Sequence, residues 1–416
     1  GRRGGETPAP VAPLQQPVTL VVNQTGARQE GPFYEQIYKA AEARLPGLKT
    51  EGVIANPEKV KTMAAGGTPL DVIRLSGSRD TPDFACGGFL LPLNDFLKRG
   101  EFPIKDTMPI ALQGAEWRGK QYGITFNLGG HVVYFNQTLF EQTGAALPTD
   151  LHRERRWTWD TFREAARLVS GGAGAERTWG LDRITCLCVV NSMIYSAGGE
   201  MYDKDITVSR FDHPKTIEAI QFLNDLVVRL KATPSPSERK ALSATPFMLG
   251  RSGMISTARF NARPIQEHSE KAGWKPGMVL PPTGPSGKLV TRESPVSMGI
   301  GRETKHPEAA WLVVRTWGEP VGQKIYVENG LGLPTLKSMW AAPFVKDRLF
   351  PWEDLATYQR AIEVAYIQVP PAYPKVASVW NREQDLMDEG QKAVRDGMLT
   401  LKREADLLLA ETNCAA

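Results

Sequence analysis

The chain has 416 residues, of which 50 are basic and 46 acidic, and 41% of its residues are hydrophobic. This length exceeds the roughly 250–300 residues at which a single hydrophobic core stops growing, so two domains are expected. No apolar run approaches the length of a membrane span, and the charges do not form the concentrated basic stripe of a nucleic-acid groove. We therefore expect a soluble protein without a nucleic-acid partner.

The first seventeen residues, "GRRGGETPAPVAPLQQP", are rich in proline and lack apolar periodicity. This composition predicts a disordered leader over residues 1–17 that tethers the rest of the chain. Arg2-Arg3 is not followed by the apolar segment that a twin-arginine export signal requires.

The next segment predicts a parallel sheet. "PVTLVVNQTG" reads as a strand, Phe33, Ile37 and Ala41 repeat at helical spacing, and a second strand, a second helix and the strand "LDVIRL" follow. This βαβαβ order is typical of a parallel α/β sheet, in which ligands collect at the carboxyl ends of the strands. The loops at those ends are "NQTGARQ" and "SGSRD".

Further elements follow in the second half of the chain. "WTWDTFREAARLV" predicts a helix with Thr158 as its N-cap, and the segment from Ala219 to Leu230 predicts another amphipathic helix. The region from Asn381 to Leu409 predicts two helices that are interrupted near Gly397.

The stretch "GAEWRGKQYG" comes within one side chain of a phosphate-binding P-loop, with Gln121 where Ser or Thr is required. A P-loop needs a buried strand before its glycines and a helix that opens at its Lys. Here the residues after Lys120 alternate as a strand does. The stretch is therefore predicted to form a tight hairpin turn around Gly119, without bound phosphate.

The remaining motifs do not predict catalysis. "SERK" lacks the partner motifs of serine acyl-enzymes, and the five histidines are scattered. The four cysteines, Cys86, Cys186, Cys188 and Cys414, lack the spacing of a zinc site and are expected to be small buried residues whose redox state stays open. We expect no catalytic residue, no cofactor and no metal, with a nucleotide-using transferase that has a two-domain cleft as the alternative of another class.

Nine motifs in a shared order resemble the extracellular solute-binding proteins of ATP-binding-cassette importers, family 1, which includes maltose- and other sugar-binding proteins. They span nearly the whole chain beyond the leader: "GGFLLPLNDFL", "WRGKQYGITFN", "VVYFNQTLFEQTG", "WTWDTFREAARL", "YSAGGEMYD", "PKTIEAIQFLNDL", "FMLGRSGM", "PEAAWLVVRTW" and "GLGLPTLKS". "LHRERR" departs from the family pattern as a small insertion.

The resemblance implies a two-domain α/β fold of the periplasmic-binding-protein type, with a ligand cleft between the domains and a hinge of several segments. It implies an N-terminal lobe of residues 18–127 plus 260–325 and a C-terminal lobe of residues 128–259 plus 326–416. The hinge crossings are expected near Asn127, near 254–259 and near 326–332. Hinge closure would hold the solute.

The resemblance also implies a set of residues that bind the solute. Sugar sites combine planar hydrogen-bonding groups with aromatic faces, and Phe260 and Trp380 fall where maltose-type binders place stacking aromatics. The expected ligand-binding residues are Gln24, Thr25, Ser76, Ser78, Arg79, Asn127, Cys188, Arg259, Phe260, Asn261, Gly332 and Trp380. Cys188 lies where related binders present aromatic or acidic side chains, which argues against maltose itself.

Four arginines, Arg28, Arg79, Arg259 and Arg263, fall in or near the expected cleft. Because Arg recognises carboxylate and phosphate groups bidentately, an anionic or phosphorylated polyol or a sugar acid competes with a neutral sugar as the ligand. Pairing of these guanidinium groups with protein carboxylates would favour the neutral sugar.

The expected function is therefore that of a solute-binding subunit of an importer, which captures a carbohydrate or a related polyhydroxylated solute. Its partners would be the small solute and the permease subunits in the membrane, and the protein is expected to be monomeric. The expected location is extracytoplasmic, either periplasmic or anchored as a lipoprotein on the outer face of the cytoplasmic membrane.

Overall fold

The computed structural model describes residues 14–24, 31–76, 79–182 and 187–412, so residues 1–13 of the predicted leader lie outside it. The strands of this part of the chain are β1 Val18–Gln24, β2 Leu48–Ile54, β3 Val72–Leu75, β4 Leu90–Leu91, β5 Glu116–Trp117, β6 Lys120–Gln121, β7 Gly123–Thr125, β8 Val132–Asn136, β9 Trp179–Leu181, β10 Ser252–Thr257, β11 Pro276–Val279, β12 Thr291–Arg292, β13 Ser297–Gly301 and β14 Ala365–Tyr366.

The helices of the same residues are α1 Gly31–Glu42, α2 Pro57–Ala65, α3 Thr81–Cys86, α4 Asn94–Lys98, α5 Pro109–Gln113, α6 Gln137–Thr143, α7 Pro148–Arg153, α8 Trp159–Val169, α9 Leu187–Ser196, α10 Pro214–Val228, α11 Pro236–Lys240, α12 Ala262–Ala272, α13 Pro307–Gly318, α14 Pro320–Glu328, α15 Pro343–Lys346, α16 Leu355–Glu363, α17 Tyr373–Asp388 and α18 Val394–Glu411. Short 3-10 turns lie at Gly174–Glu176, Arg259–Asn261 and Lys337–Met339.

The predicted βαβαβ segment is confirmed. β1 pairs in parallel with β2 and with β3, and α1 and α2 are the intervening crossovers. Asn56 caps α2, since its Oδ1 accepts a hydrogen bond of 2.8 Å from the Lys59 N–H. The carboxyl ends of β1 and β3 therefore lie at one edge of a single sheet.

The chain folds into two α/β units. Within the described residues, unit 1 contains the chain up to Leu128 together with Ser294–Arg348, and unit 2 contains Gly129–Glu293 together with the chain from Leu349 onward. The sheet of unit 1 has the order β2-β1-β3-β13-β4, with β7 also paired to β13, and the sheet of unit 2 has the order β11-β8-β10-β9.

Two of the lobe boundaries differ from the prediction. Residues 260–293 belong to unit 2, because Pro276–Val279 pairs antiparallel with β8 in the centre of that unit's sheet. Residues 326–348 belong to unit 1, where Tyr326 packs edge-on against Phe33 and Phe126 with ring centroids 5.3 Å apart in both cases. The chain thus passes between the units at 128/129, 293/294 and 348/349 rather than near 259 and 325.

Each unit has its own aromatic core. In unit 1, Trp317 is fully buried, and its ring centroid lies 4.6 Å from those of both Tyr34 and Phe126. In unit 2, buried side chains of α8, α9, α10, α17 and α18 pack together with β8 and β10. Thr158 caps α8 through its side chain, as predicted.

The stretch that resembles a P-loop forms a β-hairpin with a two-residue turn. Trp117 pairs with Lys120, and the turn residues Arg118 and Gly119 have φ values of 48° and 76°. Positive φ at both positions is the backbone of a type I′ turn, which suits the twist of a hairpin. Lys120 lies exposed on a strand, so the geometry of a phosphate loop is absent.

The C-terminal helices break earlier than predicted. α17 ends at Asp388, Gly390 has a φ of 70°, and α18 begins at Val394. Gly397 lies inside α18, where an added Cβ would lie 2.5 Å from the sulfur of Met387. Gly397 therefore permits close packing of the two helices rather than ending one of them.

Cys86 takes part in a disulfide bond. Cys86 is half-buried rather than buried as expected, and its redox state, which the sequence left open, is the oxidised one. A disulfide bond is typical of proteins that fold in an oxidising compartment.

Candidate functional site

The buried amide of Asn23 fixes the edge of unit 1 at which the first two predicted ligand loops begin. Its Nδ2 donates to the carbonyl oxygens of Val53 at 3.2 Å and Ala55 at 3.1 Å, and its Oδ1 accepts from the Arg74 N–H at 3.2 Å. One side chain thus joins β1 to both of its neighbours. Asn23 was not among the residues predicted from the sequence.

Gln24, the last residue of β1, lies over β2. An added Cβ on Gly52 would come within 2.1 Å of Gln24 Nε2, so the absence of a side chain at Gly52 makes room for this amide. Gln24 is partly exposed. Its amide therefore lies against the backbone of β2, close to the carboxyl edge of the sheet.

A charged cluster follows β3. The Ser76 N–H donates to Asp80 Oδ2 at 2.7 Å, and Arg74 Nη1 donates to Ser76 Oγ. Burial raises the pKa of Asp80 to about 6, against the opposing effects of the Ser76 N–H and of the Arg79 and Arg74 charges. The Nε of Arg79 is buried and has no hydrogen-bond partner among the described residues.

The predicted contact Asn127 is already hydrogen-bonded on both sides. Its Nδ2 donates to the Tyr326 hydroxyl at 2.9 Å, and its Oδ1 accepts from the Val296 N–H at 2.7 Å. Gly332 is buried against the same tyrosine, since an added Cβ would lie 2.7 Å from Tyr326 Cε1. In this structure Asn127 and Gly332 therefore position Tyr326 and the end of unit 1.

In unit 2, the 3-10 turn Arg259–Asn261 follows β10 and presents one aromatic ring. Phe260 is 58% exposed, whereas Arg259 beside it is only 2% exposed. Asn261 Nδ2 donates to Thr257 Oγ1 at 2.7 Å, which ties the turn to the end of its strand. An exposed phenyl ring on a tethered turn is the feature that a sugar face requires.

Arg259 belongs to a buried network. Its Nε donates to Glu353 Oε1 at 3.0 Å, and the side chains are 2% and 0% exposed. Glu353 also accepts from the Tyr358 hydroxyl at 2.6 Å, and that hydroxyl lies 2.7 Å from the hydroxyl of Tyr134. The charge of Arg259 is thus neutralised inside unit 2, so this predicted ligand residue acts in the structure as a support for the turn.

The same turn is joined to the segments at which the chain enters and leaves unit 2. The Arg259 N–H donates to the Gly129 carbonyl at 2.9 Å. The Glu293 carboxylate accepts from the Gly129 N–H at 2.8 Å and the Gly130 N–H at 2.9 Å. Together with Glu353, which follows the 348/349 boundary, these contacts link the turn of Phe260 to all three crossings named above.

The structure does not support a stacking role for Trp380. This indole is 1% exposed in the core of unit 2, on α17. Of the other candidates, Thr25 and Ser78 lie outside the described residues, as does the side chain of Cys188. Among the arginines, Arg28 lies outside them too, and Arg263 is exposed on α12.

Sequence reasoning missed Glu353, Glu293 and Tyr326. Glu353 bonds to a residue 94 positions away, and Glu293 bonds across 164 positions. No local spacing signals such pairs. For Tyr326, the available signal in the sequence was its position four residues before the motif "GLGLPTLKS".

The described residues offer neither a metal-binding cluster nor a membrane-spanning helix. They contain no group of three or more His, Cys, Asp or Glu side chains placed to hold a metal ion. None of the helices in this part of the chain combines the length and apolar character needed to cross a bilayer.

Comparisons with known proteins give the family. Residues 28–324 match the model of the bacterial extracellular solute-binding protein family. A binding protein of Brucella abortus is 24% identical over 373 residues, which cover 87% of this chain and 86% of that protein.

Two solved structures have a similar fold. An ABC substrate-binding protein from Listeria monocytogenes in complex with cycloalternan has a TM-score of 0.80 at 19% identity, over 95% of this chain and 100% of the other. A cyclic alpha-maltosyl-1,6-maltose binding protein from Arthrobacter globiformis has a TM-score of 0.77 at 18% identity, with the same coverage. The family match, which spans most of the chain, and these folds lead to one conclusion: the chain belongs to the bacterial extracellular solute-binding protein family.

Proposed function

We propose that this protein is the extracytoplasmic solute-binding subunit of an ABC importer and that it binds a carbohydrate without chemical turnover. In this proposal the two units close on the solute, and the ligand contacts offset the cost of ordering the closed state. The proposal includes delivery to permease subunits, a monomeric state, and a location outside the cytoplasm, either free or held by a lipid anchor.

The observation that carries the proposal is the exposed ring of Phe260. Exposure of 58% of this residue to water is unfavourable, because the ring is apolar. That free energy is recovered when an apolar sugar face covers the ring. The ring stands on a turn whose two flanking side chains are both hydrogen-bonded within unit 2. It is therefore pre-organised, which lowers the entropy cost of binding.

A neutral ligand is favoured because the guanidinium group of Arg259 is paired. Its partner Glu353 supplies the carboxylate that an anionic ligand would otherwise provide. Breaking this buried pair to bind an anion would leave Glu353 uncompensated, which is strongly unfavourable.

The names of the similar proteins point to the same ligand class. The ligands in these names include cycloalternan, cyclic alpha-maltosyl-1,6-maltose, and maltose bound to a Thermotoga maritima protein. A shorter match of 26% identity is to an arabinooligosaccharide-binding protein of Halalkalibacterium halodurans. We therefore propose an oligosaccharide as the solute.

Calorimetric titration with maltose, maltotriose and arabino-oligosaccharides tests the proposal. Phe260→Ala should weaken binding of the ligand by about tenfold or more, because it removes the stacking face. Leu407→Ala is the matched control, since Leu407 is 61% exposed on α18 in the same unit and should leave the affinity unchanged. Equal affinity in the wild type and Phe260→Ala would refute the assigned site.

One observation favours a second candidate, an anionic or phosphorylated polyol or a sugar acid. It is the buried Nε of Arg79, which has no hydrogen-bond partner in the described residues. Thermal-shift screening with neutral and anionic sugars separates the two ligands. An anion that stabilises Arg79→Ala as strongly as the wild type would count against this candidate.

A further inference from the structure

Unit 2 contains a cavity of about 740 Å³ that is separate from every predicted ligand residue. It lies between the C-terminal end of α9, the segment 288–290 and β14. Its polar and aromatic lining consists of Tyr195, Tyr202, Tyr366, Glu200, Lys204 and Gln368, with Lys288 and Glu363. A volume of this size falls within the roughly 300–1,000 Å³ range of small-molecule sites.

The aromatic wall of this cavity is built on fixed hydrogen bonds. The Tyr195 hydroxyl donates to Gln368 Oε1, and Gln368 Nε2 donates to the Asp203 carbonyl at 3.0 Å. The rings of Tyr195 and Tyr366 pack with centroids 4.2 Å apart at an interplanar angle of 57°. Tyr366 remains 39% exposed, so its ring is held in place and is still available to a ligand.

The charges around the cavity balance in sign. Glu200 and Glu363 supply carboxylates, and Lys204 and Lys288 supply ammonium groups. Glu363 is paired with Arg360 at 3.1 Å, whereas Glu200, Lys204 and Lys288 form no ion pair with any of the described residues. Burial raises the pKa of Tyr366, a hydrogen bond with Tyr195 opposes this rise, and the charge of Glu200 adds to it.

This lining fits one chemical class of ligand. Donors and acceptors of both signs satisfy hydroxyl groups, which donate and accept, and the tyrosine ring covers an apolar C–H face. A single-sign ligand would meet a like charge at some point of the wall. A neutral polyhydroxylated molecule therefore matches the site better than an anion or a cation.

None of the residues that line the cavity belongs to the turn of Phe260. β9 and β10 are parallel, so their carboxyl ends share one edge of the sheet, and Phe260 follows β10 at that edge. α9 follows β9 and runs for ten residues before it reaches the cavity. At 1.5 Å per residue, α9 spans roughly 15 Å, whereas Tyr366 on the other wall pairs with Arg292, the residue before Glu293.

We propose that this cavity is a second site, which binds a neutral mono- or disaccharide independently of the solute site at Phe260. It goes beyond the proposed function, because that function requires only one site. A chain with two sugar sites would respond to sugar at two concentrations, and the weaker site would fill only when the sugar is abundant.

The test uses the full chain and glucose and maltose as probes, with binding followed by saturation-transfer NMR and calorimetry. Phe260→Ala should remove one binding event and leave a second. Adding Tyr366→Ala to that variant should weaken the remaining event by about tenfold or more, since it removes the exposed ring. Adding Leu407→Ala instead is the matched control and should leave it unchanged.

The outcomes separate this proposal from the proposed function. Loss of all glucose and maltose binding in Phe260→Ala would overturn the second site and support the first. Retained binding that Tyr366→Ala does not weaken would also overturn the second site. Tyr366→Phe keeps the ring and should bind the sugar more tightly than Tyr366→Ala, which excludes misfolding as the cause of the weaker binding in Tyr366→Ala. Tighter binding of glucuronate than of glucose would overturn the assignment of a neutral ligand.

Discussion

Removing the carboxylate of Glu353 should destabilise unit 2 far more than removing an ordinary surface carboxylate. The pair of Arg259 and Glu353 is 2% and 0% exposed, so Glu353→Ala removes the carboxylate with which a buried guanidinium group is paired. Breaking such a pair typically costs about 3–5 kcal/mol. The Tyr358 hydroxyl and the Phe350 N–H lose their acceptor in the same variant.

The matched control is the pair of Arg360 and Glu363, whose side chains are 54% and 57% exposed in the same unit. Glu363→Ala should cost no more than about 1 kcal/mol, because exposed pairs contribute little. Urea unfolding followed by circular dichroism measures both free energies. For a unit of this size, the loss in Glu353→Ala corresponds to a fall in melting temperature of roughly 6–20 °C.

The double variant Arg259→Met with Glu353→Leu removes both charges and should regain much of the stability that Glu353→Ala loses. If Glu353→Ala and Glu363→Ala differ by less than about 1 kcal/mol, the network does not hold the turn of Phe260 as described.

Three further predictions concern unit 1. Because burial raises the pKa of Asp80 to about 6, the contribution of this carboxyl group to the free energy of unfolding is complete below pH 3.8 and is lost as the pH rises through about 6. The pKa shift corresponds to about 3 kcal/mol. Urea unfolding at pH 4 and pH 7 should show the loss of stability in the wild type but not in Asp80→Asn. Gly332→Ala should cost about 1–3 kcal/mol in the same assay, because its Cβ would lie 2.7 Å from Tyr326, whereas a Cβ on Gly31 would meet no atom of the described residues within 4 Å and should be nearly neutral. Alkylation of the denatured, unreduced protein should leave Cys86 unlabelled in mass spectrometry, and labelling of Cys86 would contradict its disulfide bond.

Sequence reasoning succeeded where the determinants are local. The βαβαβ segment, the Thr158 cap and the hairpin at Gly119 all depend on residues within a few positions of one another. It failed where a distant partner decides. The second lobe boundary is set by the pairing of Pro276–Val279 with a strand about 140 positions earlier, which no local pattern reveals.

The candidate site shows the same division. Trp380 lies on an amphipathic helix, and its residue type does not say whether the indole faces the core or a ligand. Arg259 was predicted to contact the ligand, because the sequence does not reveal its pairing with Glu353. The stacking role predicted for Phe260, the next residue, stays a proposal. The exposure of its ring supports that role, and this exposure depends on the fold and cannot be read from the sequence.

The position of β13 has a consequence for how the chain folds. Ser297–Gly301 lies between β3 and β4 and also pairs with β7, so the sheet of unit 1 lacks an interior strand until residue 301 has been synthesised. Unit 2 receives most of its strands from one continuous segment before that point. The sheet of the unit that begins the chain is therefore completed after the four-stranded sheet of unit 2, and contacts of such high sequence separation slow folding. Substitutions in β13 should lower the refolding rate of unit 1 more than those in β1, even where both cost equal stability.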